Sequence, residues 1–512
     1  MTPFADSPHY RWMVLVIIML GTFMAILDTS IVNVALPHMM SSFAVDREKI
    51  EWVATAFMLA SAVTMPLVGW LVGRVGHKNL YATSLFLFTS SSALCALAWS
   101  YHALIFARVL QAVGGGAIQP IGMAIVGDLF EPHERGRALG IWGTGIMLGP
   151  TIGPVAGGYL TEWFNWRSIF SVNIPIGILT LSLVLLIMKK EKLGHGRDVP
   201  LDIPGFMFLS VALISGLLAM SYGQDKGWTS NYILTCIILS VTCLICFITT
   251  ESVVEHPLLH LGLFRHRNYS LAMMLAVFRS LGLFGGVFLL PLFLINVVGY
   301  TTIQTGLWMM PGAVAVGISM PIAGRLADRR SPRALVLFGT VVTALGMFLY
   351  GHLDPLSSKL GIIGPQVVRG VGLAFMMTPL LTAAMNSVPR ESIATASSFL
   401  NIIQRVGGAF GIALMNSYVT KMALIHSVRQ GELLSSQSSA FQHVLHPLSQ
   451  VQLHRSVPAL TGGSAKASVF LSQMIHNRAL VLAFDNAFMF IGAIILLGLL
   501  LVFFLKPEKY HA

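Results

Sequence analysis

Residues 145–158 read GIMLGPTIGPVAGG. Gly145, Gly149, Gly153 and Gly157 recur every fourth residue, with Gly158 beside the last. Pro150 and Pro154 keep the same interval. On a helix, residues four apart stack along one face. A glycine face has no side-chain bulk, so a second helix backbone can approach it closely. Two prolines disrupt a water-soluble helix, whereas a membrane helix tolerates them when neighbours satisfy the freed carbonyls. The spacing therefore reads as a small-residue packing seam in a membrane helix.

Composition extends that reading to the whole chain. Of 512 residues, 55% are hydrophobic and 10% charged, and the mean hydropathy is +0.76. Soluble domains carry about 25% charged residues, so the chain reads as an all-α polytopic membrane protein set in a lipid bilayer. The net charge of +11 does not point to a nucleic acid, because Lys and Arg sit in short loops between apolar runs. Cys95, Cys236, Cys243 and Cys246 all lie inside apolar runs and read as small apolar residues. The first apolar run, about 13–36, is too long for a cleavable signal and reads as a span. No P-loop, HExxH, GxSxG or metal-ligand cluster is present, so neither an enzyme, a cofactor, a metal site nor direct ATP drive is expected.

Apolar runs long enough to cross a bilayer number about fourteen. The loops holding Arg74, Lys78, Arg135, Arg137, Lys189, Lys190, Arg265, Arg267, Arg325, Arg329, Arg330, Arg333 and Arg390 fall on one side. The positive-inside rule makes that side cytoplasmic and puts both termini there. PLVGWLVGRVGHKNL (66–80) aligns with PIAGRLADRRSPRAL (321–335), an internal repeat at two equivalent turns. Two parallel-related halves follow. We read residues 1–190 as one six-helix bundle, 191–266 as two inserted helices, and 267–512 as a second six-helix bundle. A long extracytoplasmic loop is expected at about 425–484, with an amphipathic stretch near Leu433 to Leu453.

A charge within a span costs about 2.5–3.5 kcal/mol on insertion scales, so each one needs a reason. Asp28, in AILDTSIVNVALP (25–37), is the sole acid of the first span. It can bind and release a proton or hold a cation, or it can be locked to a nearby arginine. Asn33, in the same stretch, is a cavity candidate. Arg108, in ARVLQAVGGGAIQP, lies at similar depth in the fourth span. Arg279, Arg369 and Arg405 lie in apolar helices of the second half and suggest a water-filled cavity between the halves. Such a lining argues for caution about cationic substrates.

GIMLGPTIGPVAGG resembles the fifth-span antiporter motif of the fourteen-span drug:proton antiporters, the EmrB/QacA-like family of the major facilitator superfamily. LDTSIVNVALP resembles that family's first-span motif, and RVLQAVGGG resembles its fourth-span arginine motif, with Ala112 where glycine is usual. GWLVGRVGHKN (69–79) resembles the superfamily's loop motif: Gly69, Arg74, Gly76 and Lys78 fit, and Gly73 replaces the expected acid. Asp328 keeps the acid in the second-half copy. The resemblance implies a major facilitator fold and proton-driven export of drugs or other amphipathic compounds from a bacterial inner membrane. It implies that Asp28, Arg108 and Gln111 carry the proton. It also implies that the loop residues, Asp128 (as partner of Arg74) and the Gly/Pro face at 145–158 govern the conformational change, with that face rocking against the other half. Relatives in two-membrane bacteria use a periplasmic adaptor and an outer-membrane channel. A same-fold transporter of one metabolite, such as an amino acid or siderophore, and a non-transporting sensor are the alternatives.

Overall fold

A computed structural model describes residues 9–190, 199–355, 357–433 and 463–505. The first half begins with α1 (Tyr10–Phe43), α2 (Arg47–Ile50), α3 (Trp52–Thr64), α4 (Leu67–Val75) and α5 (His77–Ala96). It continues with α6 (Tyr101–Leu129), α7 (Arg135–Trp163), α8 (Ser168–Ser171) and α9 (Asn173–Ile187). The inserted pair is α10 (Ile203–Lys226) and α11 (Asn231–Val253). The second half comprises α12 (Arg267–Asn296), α13 (Thr302–Ala327), α14 (Pro332–Tyr350), α15 (Lys359–Asn386), α16 (Ile393–Leu433) and α17 (Gly463–Leu497).

Among the described residues, eleven helices are long and apolar enough to cross a membrane, or twelve when a bent pair counts as one span. That pair, Arg47–Thr64 and Leu67–Val75, bends by 57°. The break falls at Pro66, which lacks the N–H needed to continue the helical ladder. Fourteen spans require α5 and α7 as well; both have the length, and their Ser, Thr and Gly content makes them less apolar.

Two expectations are corrected. The outer loop is shorter than 425–484, because α16 continues to Leu433 and α17 begins at Gly463. At 1.5 Å per residue the 41-residue α16 is about 60 Å long, so its polar end extends well past the hydrocarbon layer while staying helical. Most of the amphipathic stretch near Leu433 to Leu453 lies outside the described residues. The second correction concerns the Gly/Pro face. Gly145, Gly149, Gly153 and Gly157 pack on α1 of their own half, against Met19, Ile26, Ser30 and Ile31. The other half meets a different stripe of α7, in which Gly136, Gly140 and Gly143 lie against α13 near Gly324 and Met320. Pro154 and Gly158, about five turns beyond Gly136 and Gly140 on the same face, carry that stripe on to Gly306 and Ile303. At roughly 100° per residue, Gly145 lies about half a turn round α7 from Gly136, so the two stripes face different neighbours.

The glycine seam therefore fixes α1, and with it Asp28. A Cβ at Gly149 would sit 2.7 Å from Ile26 Cγ2 and 3.1 Å from the Leu27 backbone nitrogen. Gly149→Leu is expected to push α1 off α7 and lower the thermal midpoint of the detergent-purified protein, at an overpacking cost of about 1–3 kcal/mol or more. Gly364→Ala, where nothing lies within 4 Å, serves as the control and leaves the midpoint unchanged or raises it. Equal midpoints for Gly149→Leu and wild type would refute the close seam.

The halves are joined at the end carrying the basic loops. There Ser397 Oγ donates to the Pro120 carbonyl at 2.9 Å, and Gly69 lies under Thr395. Arg135 Nη1 donates to the Met385 carbonyl at 3.2 Å and to Asn386 Oδ1 at 2.9 Å. Asp328 accepts from the backbone N–H groups of Gly136 and Arg137 at 2.7 and 2.8 Å. In this conformation the basic end is closed.

Candidate proton-coupling site

Asp28 is fully buried on α1. Its side chain gathers donors from two other helices. Arg108 Nη1 on α6 donates to Oδ2 at 2.6 Å. Gln111 Nε2, one turn further along α6, donates to Oδ1 at 3.0 Å. Asn173 Nδ2, at the start of α9, donates to the same oxygen at 2.8 Å. Arg108 is held in turn by the Gln111 Oε1 atom at 2.7 Å and by the Val53 carbonyl at 3.2 Å. Its guanidinium lies 4.2 Å from the Phe57 ring centroid and 5.6 Å from that of Phe170. Gln111 Nε2 also donates to Ser92 Oγ at 2.7 Å.

The local sequence explains this convergence. Arg108 and Gln111 are three apart, so both point from one face of α6. Gly114 and Gly116, further along α6, sit against the backbones of α5 and α3, which brings Ser92 and the Val53 carbonyl within reach. The network closes a buried charge with a counter-charge and satisfied polar partners, the condition under which an ion pair survives in low dielectric. Asp28 has no exposed surface in this conformation.

Sequence reasoning found Asp28, Arg108 and Gln111, and the structure brings all three together. It missed Asn173, Ser92 and the aromatic walls Phe57 and Phe170. The signal for Asn173 was an amide at the start of an otherwise apolar span in the same half. Cys95, read as a packing residue, lies with Sγ 3.6 Å from Gln111 Oε1. Asn33 does not join the group: it is five positions beyond Asp28, so it faces away and is exposed.

Arg279 and Arg369 are buried on α12 and α15. Arg405 on α16 crosses between the halves, with Nη1 donating to Ser61 Oγ at 2.9 Å. In the loop motif, Gly76 has φ 79°, a left-handed conformation that favours glycine. Lys78 Nζ donates to the Leu185 and Met188 carbonyls at the end of α9, where a cation is favoured. The expected Arg74–Asp128 latch is corrected. Helical side chains lean toward the N-terminus, so Arg74 lies over Trp70, one turn back, at 5.1 Å. Asp128 Oδ2 instead approaches His77 Nδ1 at 4.0 Å.

Membrane-length helices in two joined halves, with a buried ion-pair network inside the first, point to a membrane transporter fold. The Major Facilitator Superfamily profile matches residues 18–412, and the chain belongs to that superfamily. It is 30% identical to the uncharacterized MFS-type transporter YhcA of Bacillus subtilis, over 97% of this chain and 93% of that protein. It is 29% identical to the multidrug export protein EmrB of Haemophilus influenzae, over 95% and 94% of the two chains. Among solved structures, the proton:xylose symporter XylE aligns with a TM-score of 0.61 at 13% identity, covering 98% of this chain and 97% of that one. The protein is thus a multi-pass membrane transporter of small molecules and not an enzyme.

Proposed function

We propose that this protein exports amphipathic compounds, drugs among them, in exchange for protons by alternating access. The observation that carries the reading is the buried Asp28–Arg108 pair at 2.6 Å, which makes proton binding conditional on helix separation. The likeness to a multidrug export protein over nearly the whole chain supports the direction and the substrate class. Asp28 exchanges between a protonated state and the charge-paired state; Arg108 supplies the counter-charge, and Gln111 and Asn173 orient the carboxylate. Arg74, Lys78, Gly76 and Asp328 set the closed end, which the positive-inside rule makes cytoplasmic. The conformation described is then closed to the cytoplasm, with both termini on that side of a bacterial inner membrane.

The chain folds as the fourteen-span variant, with bundles at 1–190 and 267–512 and an inserted pair between them. A periplasmic adaptor and an outer-membrane channel complete the export path. Reconstitution into proteoliposomes under an imposed pH gradient tests the reading, with cationic and anionic amphipathic dyes on one side. Dye movement that follows the gradient, with matching proton flux, is the expected result. Dye movement indifferent to the gradient would overturn proton coupling.

A further inference from the structure

The two halves treat their buried arginines differently. In the first half, Arg108 on α6 faces Asp28 on α1. In the second half, Arg369 on α15 faces Gly286 on α12, where a Cβ would sit 2.5 Å from Arg369 Nη1. A bare glycine thus stands where a carboxylate could have been carried. Arg369 is 7% exposed and Arg279 is 2% exposed, yet Nε and Nη1 of both have no hydrogen-bond partner. Among the described residues of α12–α17, no fully buried carboxylate accompanies them, and the half-buried Asp485 on α17 has His352 and Arg478 as its basic neighbours. Arg279 precedes Gly286 by seven residues and therefore lies on the same face of α12, two turns or about 10 Å away. The Tyr350 ring, 6.0 Å from the Arg369 guanidinium carbon, supplies an aromatic wall beside it.

A buried guanidinium with open N–H groups is expensive and calls for an anion. Among the described residues, the second half sets no carboxylate against either arginine: Asp485 on α17 lies near His352 and Arg478 instead. We infer that the α12–α15 seam takes the acid group of an amphipathic organic anion, a carboxylate or sulfonate, with Arg369 and Arg279 as its counter-charges. This deepens the transport reading by naming the charge of the substrate, and it rests on that reading for the claim that the bound compound is cargo. The aromatic or aliphatic body of the ligand packs on the apolar helix faces beside the arginines. A cation of the same shape finds repulsion there.

The test is equilibrium binding to the full-length protein in nanodiscs. The probe is radiolabelled 2-naphthalenesulfonate; 2-naphthyltrimethylammonium is the cationic match, and potassium chloride represents a simple inorganic anion. Wild type is expected to bind the sulfonate saturably, to leave the ammonium unbound and to resist displacement by chloride. Arg369→Gln and Gly286→Asp are each expected to weaken sulfonate binding by about tenfold or more, the loss of one charge-assisted hydrogen bond. Gly286→Asp keeps the arginine and installs an internal carboxylate. Its Cβ meets the mobile ends of Arg369 and Met347, which can shift. It is also expected to raise the ligand-free thermal midpoint, a readout that survives if Arg369→Gln fails to fold. Unchanged sulfonate binding in Gly286→Asp, equal binding of the ammonium, or full displacement by chloride would each overturn the inference. Failure of proton-coupled transport with intact sulfonate binding would instead count against the exporter reading alone.

Discussion

Replacing Asp28 with asparagine is expected to reduce gradient-driven export to background while the protein still reaches the membrane. Asparagine keeps the shape and one oxygen to accept from Gln111 and Asn173. It cannot alternate between two charge states, and coupling to a proton requires such a group. The substitution also strands Arg108, 1% exposed, without its counter-charge. Breaking a buried pair in this way costs about 3–5 kcal/mol, whereas removing both partners is often nearly neutral. The double variant Asp28→Asn/Arg108→Gln therefore separates the two effects. It should recover much of the thermal midpoint lost by the single variant and still show no gradient-driven transport. The checks are membrane abundance by a fluorescent fusion, thermal midpoint in detergent and dye flux in proteoliposomes under a pH gradient. Wild-type flux from Asp28→Asn would remove this carboxylate from the mechanism.

How far the sequence could anticipate this arrangement follows from the physics of each feature. Spans, repeat and buried charges are legible because the bilayer makes each apolar run and each intramembrane charge conspicuous. The Asp28–Arg108 pairing followed from matched depth in two spans of one half. Partners whose chemistry is ordinary went unseen: Asn173 and Ser92 are polar residues of a kind common in membrane helices, and only the packing of α5 and α9 singles them out. The glycine run announced a close contact but not its partner, since a bulk-free face fits α1 or α13 equally until the helix winding is known. The pairing of Arg74 with Asp128 rests on opposite charge and a shared place at the cytoplasmic end of the first half. The lean of helical side chains toward the N-terminus, which sends Arg74 onto Trp70, decided otherwise. The extent of α16 beyond the bilayer escaped because its last turns are polar, and hydropathy marks where a span leaves the membrane, not where a helix ends.

Asp328 is expected to make closure of the basic end depend on pH. It follows the last turn of α13, and its two oxygens accept from the first N–H groups of α7 at 2.7 and 2.8 Å. Gly136 permits this approach, because a Cβ there would lie 2.5 Å from Asp328 Oδ1. Burial raises the Asp328 carboxyl from its ordinary 3.8 to about 6, against the two backbone donors, which lower it; His133 also lowers it and Glu134 raises it. When α7 and α13 part, the carboxyl meets water and returns toward its ordinary value. A group raised in the closed state binds its proton more tightly there, so acid favours closure. The stabilisation is complete below about pH 4 and is lost as pH rises through about 6. Spin labels at Glu131→Cys and Arg330→Cys, exposed positions on the two sides of this contact, report the opening. The short-distance population should grow between pH 7 and pH 5. Asp328→Asn, which keeps one acceptor oxygen and cannot ionise, should flatten that response. Asp328→Ala loses both hydrogen bonds, each worth about 1.5–3 kcal/mol to a charged group, and should open the basic end at every pH. A distance distribution that neither pH nor Asp328→Ala alters would show that the latch lies in the glycine–backbone contacts of α7 and α13 instead.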